Sequence, residues 1–265
     1  MSQQPTPEDQ AAKESNRRQF GANAANYATS TVHAKGASLS RMVELVEPQS
    51  HWHCLDIATA AGHTAFAFAP HVTEVTATDL TEEMVELAAR RAAENGFSNV
   101  RTRVADAELL PFEDESFDLV TCRIAPHHFP DQPAFIREAT RVLAPGGIFA
   151  LVDNVVPDDH EVALFCDDWE QRRDPSHVNC LSLDEWLRLC RTAGLEIEHS
   201  ETMGKLMQFS DWVENMDVPA ETRPVLLVDL LHATPAVRRF LQPTGATIED
   251  ATFTLTEGVV IGRKG

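Results

Sequence analysis

The sequence predicts a doubly wound α/β fold, a largely parallel sheet with helices on both faces. Three observations carry that expectation. Over the first 156 residues, short apolar or β-branched runs alternate with longer segments of helical period, the pattern of crossover units feeding a parallel sheet. The first runs end in small or acidic residues, as at Asp56–Gly62 and Asp79. The chain has 265 residues, 43% of them hydrophobic, enough for one large domain with a buried core.

The elements follow in order. Residues 1–16 are polar and read as a disordered tail, leaving 17–265 as the domain. Helices are expected over 17–27 and 37–46; in the second, Leu39, Met42, Val43 and Val46 share one face. A first strand covers 51–58, a buried helix 62–70, and a β-branched second strand 73–79. Residues 81–95 form the clearest helix: Thr81 stands at the N-cap, Glu82 and Glu83 lie in the first turn, and Gly96 stops it. Strands are expected at 100–104 and 117–122, then a helix at 131–143 closed by Pro145-Gly146-Gly147, then a fully buried strand at 148–156. Further on, helices are expected at 161–173, 182–193, 210–216, 221–232 and 236–241, and strands at 195–203 and 252–263. The stretch 206–250 reads as a helical cap inserted over one end of the sheet.

Composition excludes several classes. Lys plus Arg is 22 against 41 acids, a net charge of −19. A field of that sign repels phosphate backbones and anionic membrane, so neither nucleic acid nor a membrane surface is the expected partner. No apolar run approaches the roughly 18–20 residues of a membrane span, and residues 1–19 lack a signal core. Five cysteines without a C-x-x-C pair fit reduced thiols in a cytoplasmic protein. His51-Trp52-His53-Cys54 has the look of a ligand run, but on a strand Cys54 points away from the two histidines and no second cluster completes a set. No metal is expected.

In this fold class ligands sit beyond the carboxyl ends of the strands. After the first strand stands Asp56-Ile57-Ala58-Thr59-Ala60-Ala61-Gly62, and after the second Asp79. A tight small-residue turn into a helix, then an acid at the next strand tip, is a nucleotide-binding layout. The turn lacks the dinucleotide pattern G-x-G-x-x-G, and its leading acid suits a ligand carrying positive charge.

With these residues the chain resembles class I S-adenosylmethionine-dependent methyltransferases, in the small-molecule branch of the ubiquinone/menaquinone C-methyltransferases. Asp56–Gly62 stands where that family has D-x-G-x-G-x-G; Asp79, Leu80 and Met84 match its acid–hydrophobic…Met pattern. Asp106-Ala107-Glu108-Leu109-Leu110-Pro111-Phe112, the strand Phe117–Val120 and Arg141–Gly147 match its later motifs in order. The resemblance implies a Rossmann-like seven-stranded sheet with the last strand antiparallel, and lid helices over 17–47. It implies that Asp56 and the turn Ala58, Thr59, Ala60 and Gly62 hold the methionine part of S-adenosylmethionine. Asp79 would take the ribose, Asp106 and the Ala107 amide the adenine, Leu80, Met84 and Ile124 its faces, and the Arg123 backbone the amino end. The family's first two glycines are Ala58 and Ala60 here, tolerable if φ stays negative.

Methyl transfer needs alignment and sometimes a base. His127 and His128 follow the fourth strand and are the candidates for the base, one facing inward and the other structural; Tyr27 and His33 are lid candidates. Asn154 stands where it could touch an acceptor. Arg172, Arg173, Asp174 and His177 bind an anionic acceptor or anchor a loop, the second being favoured. Phe209, Trp212, Leu226, Leu227, Leu230 and Leu231 suit a hydrophobic or aromatic acceptor, or simply pack the cap. Two readings compete with methyl transfer to a small molecule: a nicotinamide-dependent oxidoreductase, and a non-catalytic cofactor-binding protein.

Overall fold

The computed structural model describes residues 6–29 and 36–265, with side chains described over 6–19 and 36–265. Seven strands form one sheet: β1 (His53–Ile57), β2 (Glu74–Asp79), β3 (Val100–Val104), β4 (Phe117–Arg123), β5 (Leu143–Asn154), β6 (Leu195–Gln208) and β7 (Thr252–Lys264). Their order is β3-β2-β1-β4-β5-β7-β6. The first five run parallel, and β7 enters antiparallel between β5 and β6. The order reverses between β1 and β4, so their carboxyl ends open a crevice where the chain departs in opposite directions.

Helices pack on both faces: α1 (Pro7–Thr29), α2 (Ala37–Val46), α3 (His63–Phe68), α4 (Glu82–Glu94), α5 (Gln132–Val142), α6 (His160–Arg173) and α7 (Leu183–Thr192). One core layer gathers Phe135, Phe149, Trp186 and Val260; the other gathers Met42, Phe68, Val75 and Ile148. Between β6 and β7 lie α8 (Phe209–Glu214), α9 (Arg223–His232) and α10 (Pro235–Leu241). They share a third core with α6, centred on Trp169 stacked on Trp212 at 4.0 Å between ring centroids. Phe209, Leu226, Leu227 and Leu230 are buried in that core, and Leu231 packs against it. Packing the cap is therefore what these side chains do; of the group, Trp212 alone also reaches the cleft described below.

Four expectations are corrected. Residues 7–16 are helical, not a tail. The Asp9 carboxylate accepts from the Thr6 amide and Thr6 Oγ1 accepts from the Asp9 amide, a capping box with Pro7 in the first turn. Thr81 stands at the N-cap of α4 as expected but forms no side-chain cap: its hydroxyl and amide both donate to Asp79. Pro145-Gly146-Gly147 lies within β5, where the partners of Phe117 and Leu119 jump from Leu143 to Ile148 and the extra residues bulge out. β6 continues to Gln208, because Gly204–Gln208 pair with Thr252–Thr256 instead of joining the cap.

Candidate functional site

At the carboxyl ends of β1, β2 and β4 a cleft encloses about 1730 Å³, its open mouth included. Its floor is the turn after β1. Asp56, almost fully buried, accepts from Thr59 Oγ1 at 2.6 Å and from Thr121 Oγ1 at 2.7 Å. Burial raises its pKa to about 6, against the pull of those two hydroxyls and of Arg123. Asp56 thus braces the turn from behind, and Thr59 rather than Asp56 faces the cleft.

Asp79, at the tip of β2, accepts from the Ala60 amide at 3.0 Å and from the Thr81 amide and hydroxyl at 3.1 and 3.0 Å. Burial raises its pKa, opposed by these donors. It lines the cleft beside Ala58, Ala60 and Leu80. Ala58 and Ala60 adopt φ of 54° and 45°, contrary to the expectation that φ stays negative. The left-handed conformation costs an alanine about 1–2 kcal/mol. The geometry has a reason: at Ala60 it turns the amide onto Asp79, and the two methyls pack against neighbouring core clusters without closing the cleft. Ile124, φ 53°, is a third strained residue on the same wall. Gly62, φ 86°, is structural, since a Cβ there would strike the Phe66 ring. Met84 is fully buried behind the wall with Ala61 and Leu87.

Beyond β3, Asp106 and Ala107 line the cleft. Asp106 accepts from the Glu108 amide at 3.0 Å and from Lys13 Nζ at 2.6 Å. Arg123, at the tip of β4, lines the cleft and donates from Nε to Thr64 Oγ1 at 3.2 Å.

The opposite wall is a buried histidine cluster. Asp153, at the end of β5, accepts from His127 Nδ1 at 2.6 Å and from the His127 amide at 2.8 Å. One carboxylate therefore fixes both ring and backbone, leaving Nε2 as the other ring nitrogen. Burial alone would lower the His127 pKa, but Asp153, aided by Glu170 and Asp174, raises it above the ordinary value. His128, 4.2 Å away between ring centroids, goes the other way. Burial and the charge on His127 hold it well below the usual imidazole range, outweighing Asp174. Its Nδ1 faces the Ser176 carbonyl at 3.0 Å. His177 Nε2 donates to Asp167 Oδ1, which also accepts from the Cys180 amide.

Arg172 pairs with Asp229, and Arg173 with Glu170 and the Trp212 carbonyl. Arg172 and Arg173, expected in a loop, instead close α6, and the loop starts at Asp174; ion pairs anchor the segment, and Arg173, Asp174 and His177 also line the cleft. Asn154 lines it too, its Oδ1 without a partner among the described residues. Asp118 accepts from the His53 amide and is structural. Tyr27 lies on α1 outside the described side chains, and His33 outside the described residues.

A Rossmann-like sheet with acids at two strand tips is shared by several enzyme classes, so the comparisons decide. Residues 48–208 match the model of a methyltransferase domain. The chain belongs to that family, and it is an S-adenosylmethionine-dependent methyltransferase. Its sequence is 39% identical over 219 residues, 83% of this chain and 87% of the relative, to the methyltransferase YcgJ of Bacillus subtilis. It is 35% identical over 113 residues to a ubiquinone/menaquinone C-methyltransferase of Rickettsia massiliae, covering 40% of this chain and 46% of that one. The crystal structure of YcgJ superposes with a TM-score of 0.83 at 36% identity, covering 87% of this chain and 99% of that one. A methyltransferase of Bacillus halodurans gives 0.83 at 34%, with 86% and 99% covered. The nicotinamide-dependent reading falls with this family.

The methyltransferase's cleft fits its cofactor. Asp79 and Asp106 border one cavity with the half-buried turn Ala58–Ala60 between β1 and α3, and a buried guanidinium stands at the β4 tip. Of the residues expected from sequence, Ala58, Thr59, Ala60, Asp79, Leu80, Asp106, Ala107, Arg123, Ile124, His127 and His128 meet on the cleft; Asp56, Gly62 and Met84 support it from behind. Sequence reasoning missed Lys13 and Asn16, both on the cleft wall. The signal that could have found them is Thr6-Pro7-Glu8-Asp9, a helix start six residues before Lys13.

Proposed function

We propose that this methyltransferase acts on a small-molecule acceptor whose nucleophile loses its proton to His127. The observation that carries the proposal is the 2.6 Å pairing of His127 Nδ1 with Asp153 in the cleft wall. A carboxylate on Nδ1 sets the tautomer, leaves Nε2 as the basic nitrogen and stabilises the imidazolium that forms. His128, held neutral by burial, serves as packing and as a hydrogen-bonding partner of Ser176.

When bound, S-adenosylmethionine supplies an electrophilic methyl group on a sulfonium. Asp79 takes the ribose hydroxyls, and Asp106 with the Ala107 amide takes the adenine. The amides of Ala58–Ala60 and the Arg123 backbone hold the methionine end. Asp56 acts through Thr59, and its buried negative charge favours a cationic ligand above it. Leu80 and Ile124 flank the ring.

The net charge of −19 supports a small acceptor over nucleic acid. The mixed acceptor wall of Phe129, Met207, Trp212 and Leu255 beside polar groups supports a partly apolar or aromatic one. Among the described residues no helix is long and apolar enough to cross a membrane, and the five cysteines form no disulfide. Both support a cytoplasmic site of action.

The test is calorimetry with S-adenosylhomocysteine, followed by an acceptor screen that detects its release. Binding, with turnover on phenols, amines or carbon acids, is expected. Methylation of RNA, DNA or protein, with none of any small acceptor, would overturn the proposal.

A further inference from the structure

Helix α1 reaches into the cleft from outside the sheet. Lys13 Nζ lies 2.6 Å from Asp106 Oδ2 and 2.5 Å from Glu108 Oε2, and is itself only 12% exposed. One turn later, on the same face, Asn16 Nδ2 donates to the His128 carbonyl at 2.8 Å, and off that face Ser15 Oγ donates to the Pro175 carbonyl. The helix is thereby tied at one end to the carboxylates beyond β3 and at the other to the histidine wall.

Two features say that this contact serves a ligand. Lys13 settles on Asp106, a carboxylate lining the cleft, and not on one of the many exposed acids of the surface. Glu108, its second partner, is also engaged by the Asp131 amide, so Lys13 joins α1 to a preset pair. Asn16 is 6% exposed and lines the cleft, and its Oδ1 has no partner among the described residues. The amide cannot flip, because Nδ2 must face the His128 carbonyl. A buried acceptor without a donor is costly, and a bound ligand is a source of that donor.

We propose that α1 is part of the cofactor site. Lys13 is a positioning residue that holds Asp106 and Glu108 at the adenine end. Asn16 is a contact residue whose Oδ1 accepts a hydrogen bond from an N–H or O–H of the cofactor. This rests on the assignment of Asp106 to the adenine.

The test uses the full chain and S-adenosylhomocysteine. Wild type must bind first; no binding would sink the cofactor reading itself, independently of α1. Lys13→Met is then expected to bind about tenfold more weakly, mainly through faster dissociation, since a charge-assisted contact is removed. Lys13→Arg restores most of the loss. Asn16→Ala weakens binding as well. In wild type the ligand slows hydrogen exchange of the amides over residues 7–19; in Lys13→Met it does not. Thermal unfolding without ligand separates a folding defect from a site defect. Unchanged affinity in both Lys13→Met and Asn16→Ala would overturn the proposal. So would tighter binding by Lys13→Met, which would make Lys13 a competitor of the adenine.

Discussion

At the β1 and β2 tips each acid has one partner in its own turn and one further off: Asp56 has Thr59, three residues on, and Thr121 of β4, while Asp79 has Thr81, two residues on, and the Ala60 amide. At the histidine wall the partners are distant. His127 is held by Asp153, 26 positions away, and His128 by Ser176, 48 positions away. The first end is therefore set once β1, β2 and β4 pair and the turns after β1 and β2 exist. The second needs β4, β5 and the loop after α6 to dock together. The ends also differ electrically. Near β1 and β2 burial leaves carboxylates without a countercharge in direct contact, a setting that awaits a cationic ligand. At the other end a carboxylate is matched to an imidazole, a setting for moving a proton.

The comparison breaks most sharply at His127. His127→Gln should lower turnover by roughly 100-fold or more, the span of a general base, while S-adenosylhomocysteine affinity stays near wild type. The wild-type rate should rise with pH through a value above the ordinary imidazole range, because the base must be neutral and Asp153 raises its pKa. That limb should vanish in the variant. Equal turnover would remove His127 from the chemistry and leave both ends as binding walls.

Asp56 sharpens the other side. Its folded pKa of about 6 stands above the carboxyl's ordinary 3.8. Such a group favours folding while protonated, so its contribution is full below about pH 4 and is lost as pH rises through about 6. Asp56→Asn should therefore gain stability relative to wild type between pH 4 and 7, on the order of 2–3 kcal/mol. Urea unfolding at the two pH values reads the difference; a constant difference would mean that the carboxylate is already compensated. Asp79→Ala should weaken S-adenosylhomocysteine by about 2 kcal/mol, the loss of hydrogen bonds to a charged acceptor. It should also lower Tm, because Ala60 and Thr81 lose their acceptor. Unchanged calorimetric affinity would count against the ribose assignment. The smallest effect is expected from Ala60→Gly. Relief of the left-handed strain is offset by glycine's larger unfolded-state entropy, for a net gain of up to about 1 kcal/mol. A clear loss of stability would show that the methyl's packing against Met84 and its neighbours outweighs the strain.

The strands and most helices were legible because hydrophobic period is a local property: α6, α7, α9 and α10 begin and end within two residues of their expected bounds. The bulge at Pro145-Gly146-Gly147 was not, since the same turn residues that end a helix also allow a strand to bulge. Thr81 holds the N-cap position read from sequence, but not the cap bond, because its hydroxyl is taken by Asp79. Within the site, the motif order pointed to the cleft wall correctly, but not to which residues face it. Asp56 and Met84 share motifs with Thr59 and Leu80, yet side-chain direction puts the former pair behind the wall.

The sequence alone carries the alternation of strands and helices and the chemical types at the strand tips, both of which depend on neighbours a few positions apart. Tertiary packing alone sets which of two adjacent histidines is hydrogen-bonded to an aspartate, that Trp212 serves the cap core as well as the cleft, and that the first helix lays Lys13 on Asp106, 93 positions away. Those outcomes depend on how packed elements bring distant side chains within hydrogen-bonding reach. Burial then sets the charge of each group, a property of the surroundings and not of the residue.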